Sequence, residues 1–236
     1  MKITEIASYP LIWKCPVPIA DAVGTSACRK ALLVEIRTDK GISGLGEVFL
    51  YGASINGARA ILEEQIAPLL IGQDAEKIEY LYNRMLWATM ASGRRGIVLG
   101  VISGIDTALW DIRGKAENAP VGSIIAKELG NKPLSVIPSY ASGGFYAEGK
   151  GLDGLKREIE GYLEKGYRAV KIKAGRNPER PDSPLRYIPY SLPGVSEEED
   201  MERIRTAKSL IGDRELFVDL NASFSPEKAL DWVPFL

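Results

Sequence analysis

Two segments in the second half of this 236-residue chain place polar side chains in apolar runs that are typical of buried strands. Lys171 and Lys173 lie two positions apart in the first segment, and Asp219 and Asn221 lie two positions apart in the second. Because side chains alternate between the two faces of a strand, each polar pair shares one face, opposite a face of valine, isoleucine and leucine. The predicted site therefore combines two amines, a carboxylate and an amide. These groups suit proton transfer next to a hard divalent cation.

A lysine acts as a base only when its pKa falls towards neutrality. Two ammonium groups on one strand face, beside a divalent cation, disfavour each other's protonation, and burial acts in the same direction. We therefore predict a lysine base with a pKa near neutral. Two other interpretations stay open from the residues alone: the lysines could extend into solvent, and Asp219 could cap a following helix.

The composition excludes several classes of function. The chain is 45% hydrophobic and 26% charged, as in ordinary globular proteins, and its net charge of -1 gives no electrostatic basis for binding nucleic acid or an anionic membrane. It has no histidine, which excludes Ser-His-Asp and Cys-His catalysis and removes the commonest zinc ligand. Acid–base chemistry therefore falls to lysine, aspartate, glutamate or tyrosine.

The sequence also indicates the cellular compartment in which we expect the protein. Its longest apolar stretches are too short to span a bilayer, and the start of the chain lacks the pattern of a secretory signal. Cys15 and Cys28 do not form a disulfide framework and are expected to be small buried thiols. We expect a cytoplasmic protein without membrane or nucleic-acid partners.

The first half of the chain predicts a small antiparallel sheet followed by helices. The predicted strands are residues 2–9, 31–37 and 42–48, and the predicted helices are residues 58–70, 75–87, 95–116 and 121–129. Asp74 is a candidate N-cap for the second helix, and Gly130 a candidate C-cap for the fourth.

After residue 131 strands and helices alternate, which is typical of a parallel sheet. The predicted strands are residues 135–142, 168–173 and 215–221, and the predicted helices are residues 152–165, 197–211 and one that begins at Pro226. We therefore place one domain at 1–131 and a second at 132–236. The proline-rich segment 177–196 interrupts the alternation and is either a surface excursion or a lid or subunit contact.

Four sequence segments, in this order, resemble the enolase superfamily and, within it, the mandelate racemase and muconate lactonizing enzyme group. They are Ile105–Ile112, Tyr140–Gly144, Lys171–Lys173 and Val218–Asn221. The Lys-x-Lys and Asp-x-Asn pairs are specific in combination, and the resemblance covers almost the whole chain.

The resemblance implies an N-terminal capping domain on a modified TIM barrel, and an Mg²⁺-dependent enzyme that removes a proton α to a carboxylate. It implies that Lys173 is the general base and Lys171 its charged neighbour. Asp219 would be the first metal ligand, and Asn221 a polar partner beside it.

The resemblance also implies substrate contacts. Tyr140 and Ser142 match positions at the end of the first barrel strand, and loops near 20–25 and 49–55 match those that close over substrate. Tyr51 lies in the second of these loops. The implied substrate is a small carboxylate, an acid sugar or a hydroxy acid, and the implied reaction is that of a dehydratase, racemase or epimerase. We also expect a homo-oligomer.

A full (β/α)₈ barrel takes about 200 residues or more, and this chain has room after its capping domain for the first three βα units only. The expected fold is therefore α/β plus α+β, with an incomplete barrel and little or no activity from this chain alone. Two rivals stay open. One is a non-catalytic remnant that serves as an oligomerisation or binding module, and the other is a Schiff-base enzyme whose nucleophile is Lys171 or Lys173.

Overall fold

A computed structural model gives the fold, and it describes residues 1–93, 95–180, 183–187, 192 and 194–236. The chain forms two compact units. Met1–Trp13 and Arg29–Ser135 make up the first unit, and Lys14–Cys28 and Val136–Leu236 make up the second. Within the described ranges, no helix combines the length and the apolar character that a bilayer crossing requires.

The compact units resemble the predicted domains apart from one segment. Residues 14–28, which we placed in the capping domain, cluster with the second unit. The division at residues 131 and 132 stays a prediction, close to the junction of the units at Ser135 and Val136. Both cysteines are free, but only Cys15 is buried, and Cys28 is half-buried.

The described strands are β1 (Ile3–Ala20), β2 (Thr25–Thr38), β3 (Ser43–Val48), β4 (Ala141–Ser142), β5 (Tyr146–Ala147), β6 (Ala169–Lys173) and β7 (Glu215–Asp219). The described α-helices are α1 (Ile55–Ala60), α2 (Ala67–Leu70), α3 (Ile78–Ala88), α4 (Ile97–Ala116), α5 (Val121–Glu128), α6 (Leu152–Glu164), α7 (Glu197–Ile211) and α8 (Pro226–Trp232). A π-helical segment, Ile61–Ile66, joins α1 to α2.

One sheet has the strand order β3-β2-β1-β5, and β2 pairs with β3 in antiparallel register. The predictions for β1 and β2 were too short, since β1 runs on through Pro10, Pro16 and Pro18 to Ala20. The short strand β5, which the sequence did not predict, pairs only with the last two residues of β1. Most of β1 therefore has a free edge among the described strands, and an edge accepts prolines because their missing N–H groups break no ladder.

The helices of the first unit start and end near their predicted positions. The predicted helix 58–70 is confirmed, and it begins at Ile55, after Ser54 whose hydroxyl accepts a hydrogen bond from the N–H of Gly57. The prediction for Asp74 was wrong. Helix α3 begins at Ile78, and Asp74 instead accepts a hydrogen bond from the amino group of Met1, 3.0 Å away. A hydrogen bond to the Met1 ammonium, in which both groups are charged, is stronger than the bond from a neutral backbone N–H that Asp74 would accept as a helix cap.

Helix α4 packs on β3 at very short range. Three of its contacts are with glycines: the backbone of α4 lies against Gly44 and Gly46 of β3, and Gly104 of α4 lies against the backbone of β3. Isoleucine, leucine and valine side chains of both elements fill the core around this contact. The absence of side chains at these positions lets helix and strand approach until their backbones touch.

The second unit contains a parallel sheet, as predicted, and its strand order is β4-β6-β7. Strand β4 is much shorter than the predicted 135–142, because only Ala141 and Ser142 find ladder partners on β6. Val170 and Ile172 of β6 are fully buried against side chains of α6, α7 and α8. The apolar face of the sheet is therefore the face that the helices cover, which leaves the lysines on the other face.

Helix α7 is stabilised in its first turn by a capping box and by acidic residues. Ser196 and Glu199 form a capping box, in which each side chain binds the backbone N–H of the other residue. Four acidic residues, at positions 197–200, occupy the first turn, where the positive end of the helix dipole favours them.

The structure describes the proline-rich segment 177–196 only in part. A single 3₁₀ turn, Pro184–Tyr187, lies in it, and Arg180 is buried, so the described part does not lie wholly at the surface. Residues 181–182, 188–191 and 193 lie outside the described residues. The role of this segment as a lid or subunit contact stays a prediction.

We predict that Gly46→Ala destabilises the first unit by about 3 kcal/mol, because a methyl group there would overlap the Gly104 carbonyl of α4. Urea denaturation followed by circular dichroism measures the change. The matched control is Gly122→Ala in α5, where an added methyl group meets no atom and the helix should gain about 0.5–1 kcal/mol. Equal stability of the two variants would contradict the close contact.

Candidate active site

The polar residues of β6 and β7 meet at the carboxyl ends of the two strands. Lys173 Nζ lies 2.6 Å from Asp219 Oδ2, and Lys171 Nζ lies 3.3 Å from the same oxygen. Lys173 also donates to Asn221 Oδ1 over 3.4 Å. The structure therefore brings together the two amines, the carboxylate and the amide that the sequence singled out.

The strand register explains this convergence. In the parallel ladder Lys173 stands opposite Asp219, and Lys171 stands opposite Phe217. Register partners in neighbouring strands project from the same face of the sheet, and residues two apart on one strand do so as well. The face that carries the lysines therefore also carries Asp219.

Burial separates the two lysines. The side chain of Lys173 is 9% exposed, and that of Lys171 is 24% exposed. The ring of Phe145 lies 5.3 Å from Lys173 Nζ, and the ring of Tyr140 lies 5.2 Å from Lys171 Nζ, so each ammonium faces an aromatic ring. Lys173 is thus the more enclosed amine of the pair.

The charges of the site shift two pKa values. Burial lowers the pKa of Lys171, but hydrogen bonds to Tyr140 and Asp219 outweigh it, and the net pKa lies above the ordinary value. Burial raises the pKa of Asp219, and the bond from Lys173 and the N–H of Asn221 bring the net pKa below the ordinary value. The net rise of the Lys171 pKa follows from the carboxylate and the hydroxyl beside it.

Asn221, two residues after the end of β7, has a left-handed backbone conformation with φ of 50°. Asparagine tolerates this region better than most residues, because its short side chain bonds locally. Its N–H donates to Asp219 Oδ1 over 2.9 Å, so the backbone turn itself orients the carboxylate. Asp219 does not cap helix α8; Ser225 does, by accepting from the N–H of Lys228.

The predicted substrate contacts fall in different places. The hydroxyl of Tyr140 accepts a hydrogen bond from Lys171 Nζ over 3.5 Å, and its ring packs against Phe217. Ser142 is the ladder partner of Lys171 and is exposed. Tyr51 belongs to the first unit, where its exposed ring stacks on Phe49, and its role stays a prediction.

Sequence reasoning missed the residues beneath the site. Arg203 of α7 donates to the carbonyls of Gly144 and Lys173 over 2.7 and 3.3 Å, and Asp200 accepts from the N–H of Gly175 over 2.7 Å. Both are buried. In the sequence they look like ordinary charges of a solvated helix; their spacing of three positions was the available signal, since it puts both on one helix face.

The fit of a magnesium ion is partial. Asp219 and Asn221 supply a carboxylate and an amide oxygen, the hard ligands that Mg²⁺ prefers. Among the described residues, however, no group of three or more His, Cys, Asp or Glu side chains could hold a metal ion. These residues therefore suit one part of a magnesium coordination shell and do not complete it.

Fold and site together define a class of protein: an α/β protein whose charged side chains stand at the carboxyl ends of parallel strands, where barrel enzymes carry their active sites. Comparison with known proteins narrows the class. A domain described as "Mandelate racemase / muconate lactonizing enzyme, N-terminal domain" matches residues 3–126, and one described as "Enolase C-terminal domain-like" matches residues 154–236. The chain belongs to the mandelate racemase / muconate lactonizing enzyme family of the enolase superfamily.

The relatives are enzymes. The arabinonate dehydratase of Saccharolobus solfataricus is 36% identical over 234 residues, which are 97% of this chain and 56% of the relative. The 3,6-anhydro-alpha-L-galactonate cycloisomerase of Streptomyces coelicolor is 28% identical over 96% of this chain and 55% of the relative. A solved racemase from Streptomyces coelicolor A3(2) with bound magnesium has a TM-score of 0.81 at 25% identity, covering 99% of this chain and 60% of that one. The chain thus spans about half the length of the curated relatives it matches.

We predict that Lys173→Met raises the pKa of Asp219, because the substitution removes an ion pair and leaves the burial. The lowered pKa of Asp219 means that the native ion pairs stabilise the fold above the unfolded-state value of about 3.9, and that this contribution is lost as the pH falls through the lower folded-state pKa. NMR titration of ¹³C-labelled aspartate carboxyls in chelator-treated buffer measures the pKa.

The control for this titration is Lys165→Met, which removes an exposed lysine at the end of α6 and should leave the pKa of Asp219 unchanged. An unchanged or lower pKa of Asp219 in Lys173→Met would show that the ion pair does not form.

Proposed function

We propose that this chain carries the proton-transfer residues of a magnesium-dependent enzyme that abstracts a proton α to a carboxylate. One observation carries the proposal: the buried Lys173 and its neighbour Lys171 both approach the single carboxylate of Asp219 at the ends of two parallel strands. Membership of a family whose relatives include dehydratases, cycloisomerases and racemases supports it.

The chemistry requires this combination of charges. A carbon acid next to a carboxylate is hard to deprotonate, because the product enediolate carries two negative charges. Magnesium, when bound, supplies positive charge to stabilise that product. The residues of this chain would perform the remaining tasks of taking the proton and holding the substrate.

Lys173 suits the role of general base because it is the more enclosed amine of the pair and lies at the strand end beside Asp219. Lys171 suits the role of a fixed cation, since its pKa lies above the ordinary value once its bonds to Tyr140 and Asp219 outweigh burial. As a cation it would pair with the carboxylate of the substrate.

We propose a sugar acid or hydroxy acid as the substrate class. The names of relatives include arabinonate, D-mannonate and L-talarate/galactarate dehydratases, all of which are named for polyhydroxy carboxylates. Tyr140, which directly precedes β4, and Ser142, the ladder partner of Lys171, are the proposed contacts to the hydroxyl groups. The reaction would be dehydration, racemisation or epimerisation.

We further propose that efficient activity requires metal ligands additional to those that the described residues supply. One carboxylate and one amide are too few to fix Mg²⁺ at a catalytic geometry. Phe217, on the outer strand of the three-stranded sheet, is exposed beside Asp219, so solvent reaches the site. An open site of this kind would deprotonate a carbon acid slowly.

We predict that the 236-residue chain slowly exchanges the α-proton of a sugar acid for deuterium in ²H₂O with Mg²⁺, and that Lys173→Met lowers the rate about 100-fold. The rate falls because Lys171 has the role of a fixed cation in this proposal, and Lys173 is the amine that takes the proton. Proton NMR of the substrate signal over time measures the rate.

Lys165→Met again serves as the control and should exchange at the wild-type rate. Exchange that is no faster than in buffer with wild-type chain would contradict the proposal, and would favour a non-catalytic binding module.

We predict that the chain binds Mg²⁺ weakly, with a Kd on the order of 1 mM or higher, because its ligands are few and Asp219 is already ion-paired. Paramagnetic relaxation by Mn²⁺, used as a stand-in for Mg²⁺, measures binding. Asp219→Asn should abolish it, while Asp213→Asn, at an exposed loop position, should not. Equal Mn²⁺ affinity of the two variants would show that Asp219 is not a ligand.

A further inference from the structure

Arg176 is a fully buried arginine whose bonds lead to a distant part of the chain. It follows Lys173 by three positions, directly after the strand end that carries the site. Its guanidinium donates to the carbonyl of Asp21 over 2.7 Å, to the carbonyl of Gly24 over 3.2 Å and to Thr25 Oγ1 over 3.2 Å. A single side chain therefore binds three acceptors of the turn between β1 and β2.

The turn at 21–25 is also ordered from within. Asp21 Oδ1 accepts from the N–H groups of Val23 and Gly24 over 3.0 and 2.8 Å, and the N–H of Asp21 donates to the carbonyl of Gly24. Ala22 is fully buried. The turn is therefore a compact element, and Arg176 connects it to the segment that follows β6.

The backbone of Arg176 is fixed as firmly as its side chain. Its N–H donates to the hydroxyl of Tyr146, and its carbonyl accepts from the N–H of Val195 over 2.8 Å. The same Tyr146 hydroxyl donates to Asp200 over 2.6 Å, and Asp200 binds the N–H of Gly175. Arg176 thus has a fixed backbone just after the strand that bears Lys173.

We propose that Arg176 is a positioning residue that holds the Asp21–Thr25 turn as a fixed wall beside the strand end of Lys173. Loops that close over substrates are usually mobile and of low local stability. Three hydrogen bonds from one buried guanidinium to the turn make it the opposite kind of element, and the same guanidinium also donates to the carbonyl of Leu192. The contact of the turn with substrate rests on the proposed function, but its rigidity does not.

Hydrogen exchange of the backbone amides tests the proposal on the full chain. In wild type the amides of Asp21, Val23 and Gly24 are hydrogen-bonded and should exchange slowly. Arg176→Met keeps the length of the buried stem and removes the guanidinium. It should accelerate exchange at these amides about tenfold or more, while the amides of α4 keep their wild-type rates.

Two further variants keep the test decisive if Arg176→Met folds poorly. Thr25→Val keeps the shape of the side chain and removes an oxygen that accepts from the guanidinium and from the N–H of Leu192, and it should produce a smaller acceleration at the same amides. Arg176→Lys keeps a buried cation that reaches fewer acceptors, and should restore part of the protection. Arg205→Met, which removes an exposed arginine of α7, is the control and should change nothing.

Three results would overturn the proposal: fast exchange of the turn in wild type, unchanged exchange in Arg176→Met and Thr25→Val, or an equal acceleration over the whole second unit. The last result would make Arg176 a general stabiliser of that unit. None of these readouts uses catalysis, so a failure of the proton-transfer function leaves them interpretable.

A kinetic measurement links the turn to substrate. In the α-proton exchange assay, Arg176→Met should raise KM about tenfold and change kcat less than about twofold, because a wall contacts the substrate and not the transferred proton. A fall in kcat with an unchanged KM would overturn the role of the turn as a wall, even if the turn is rigid.

Discussion

The register between β6 and β7 is the constraint on which the rest of the site depends. It places Lys173 opposite Asp219, and a slip of one residue would send either side chain to the face that the helices cover. Val170 and Ile172 prevent this slip, since they are fully buried on the opposite face. The burial of the apolar residues thus fixes the register of the strands, and this register determines where the charged side chains meet.

Helix α7 fixes the end of β6 through buried polar groups. Asp200 and Arg203 bind the backbone on either side of Ala174, and Tyr146 joins them with its hydroxyl. Burial raises the pKa of Asp200, against the opposing effect of the Tyr146 hydroxyl and the Gly175 N–H, and burial likewise raises the pKa of Tyr146. Groups of this kind are worth burying only when each finds its partner, so the network specifies one position of the strand end.

The sequence predicted what depends on local pattern. Alternation along β6 and β7 was enough to place Lys173 and Asp219 on one face, and the β–α alternation was enough to predict a parallel sheet. The sequence could not predict the length of β1. A proline is tolerated in a strand where the strand has a free edge, and whether an edge is free depends on the tertiary pairing of the strands. Nor could the sequence reveal the partners of Asp74 or Arg176, which lie far away along the chain and are decided by tertiary packing.

The glycine contacts between α4 and β3 have a consequence for anyone who diversifies this chain. Gly44, Gly46 and Gly104 leave no volume for a side chain, so a randomised library at these positions would consist mostly of unfolded members. Because α4 and β3 touch along their backbones, a second substitution could compensate for the first only by moving the whole of α4. Substitutions intended to change the substrate therefore belong in the loops, and these three glycines should be kept.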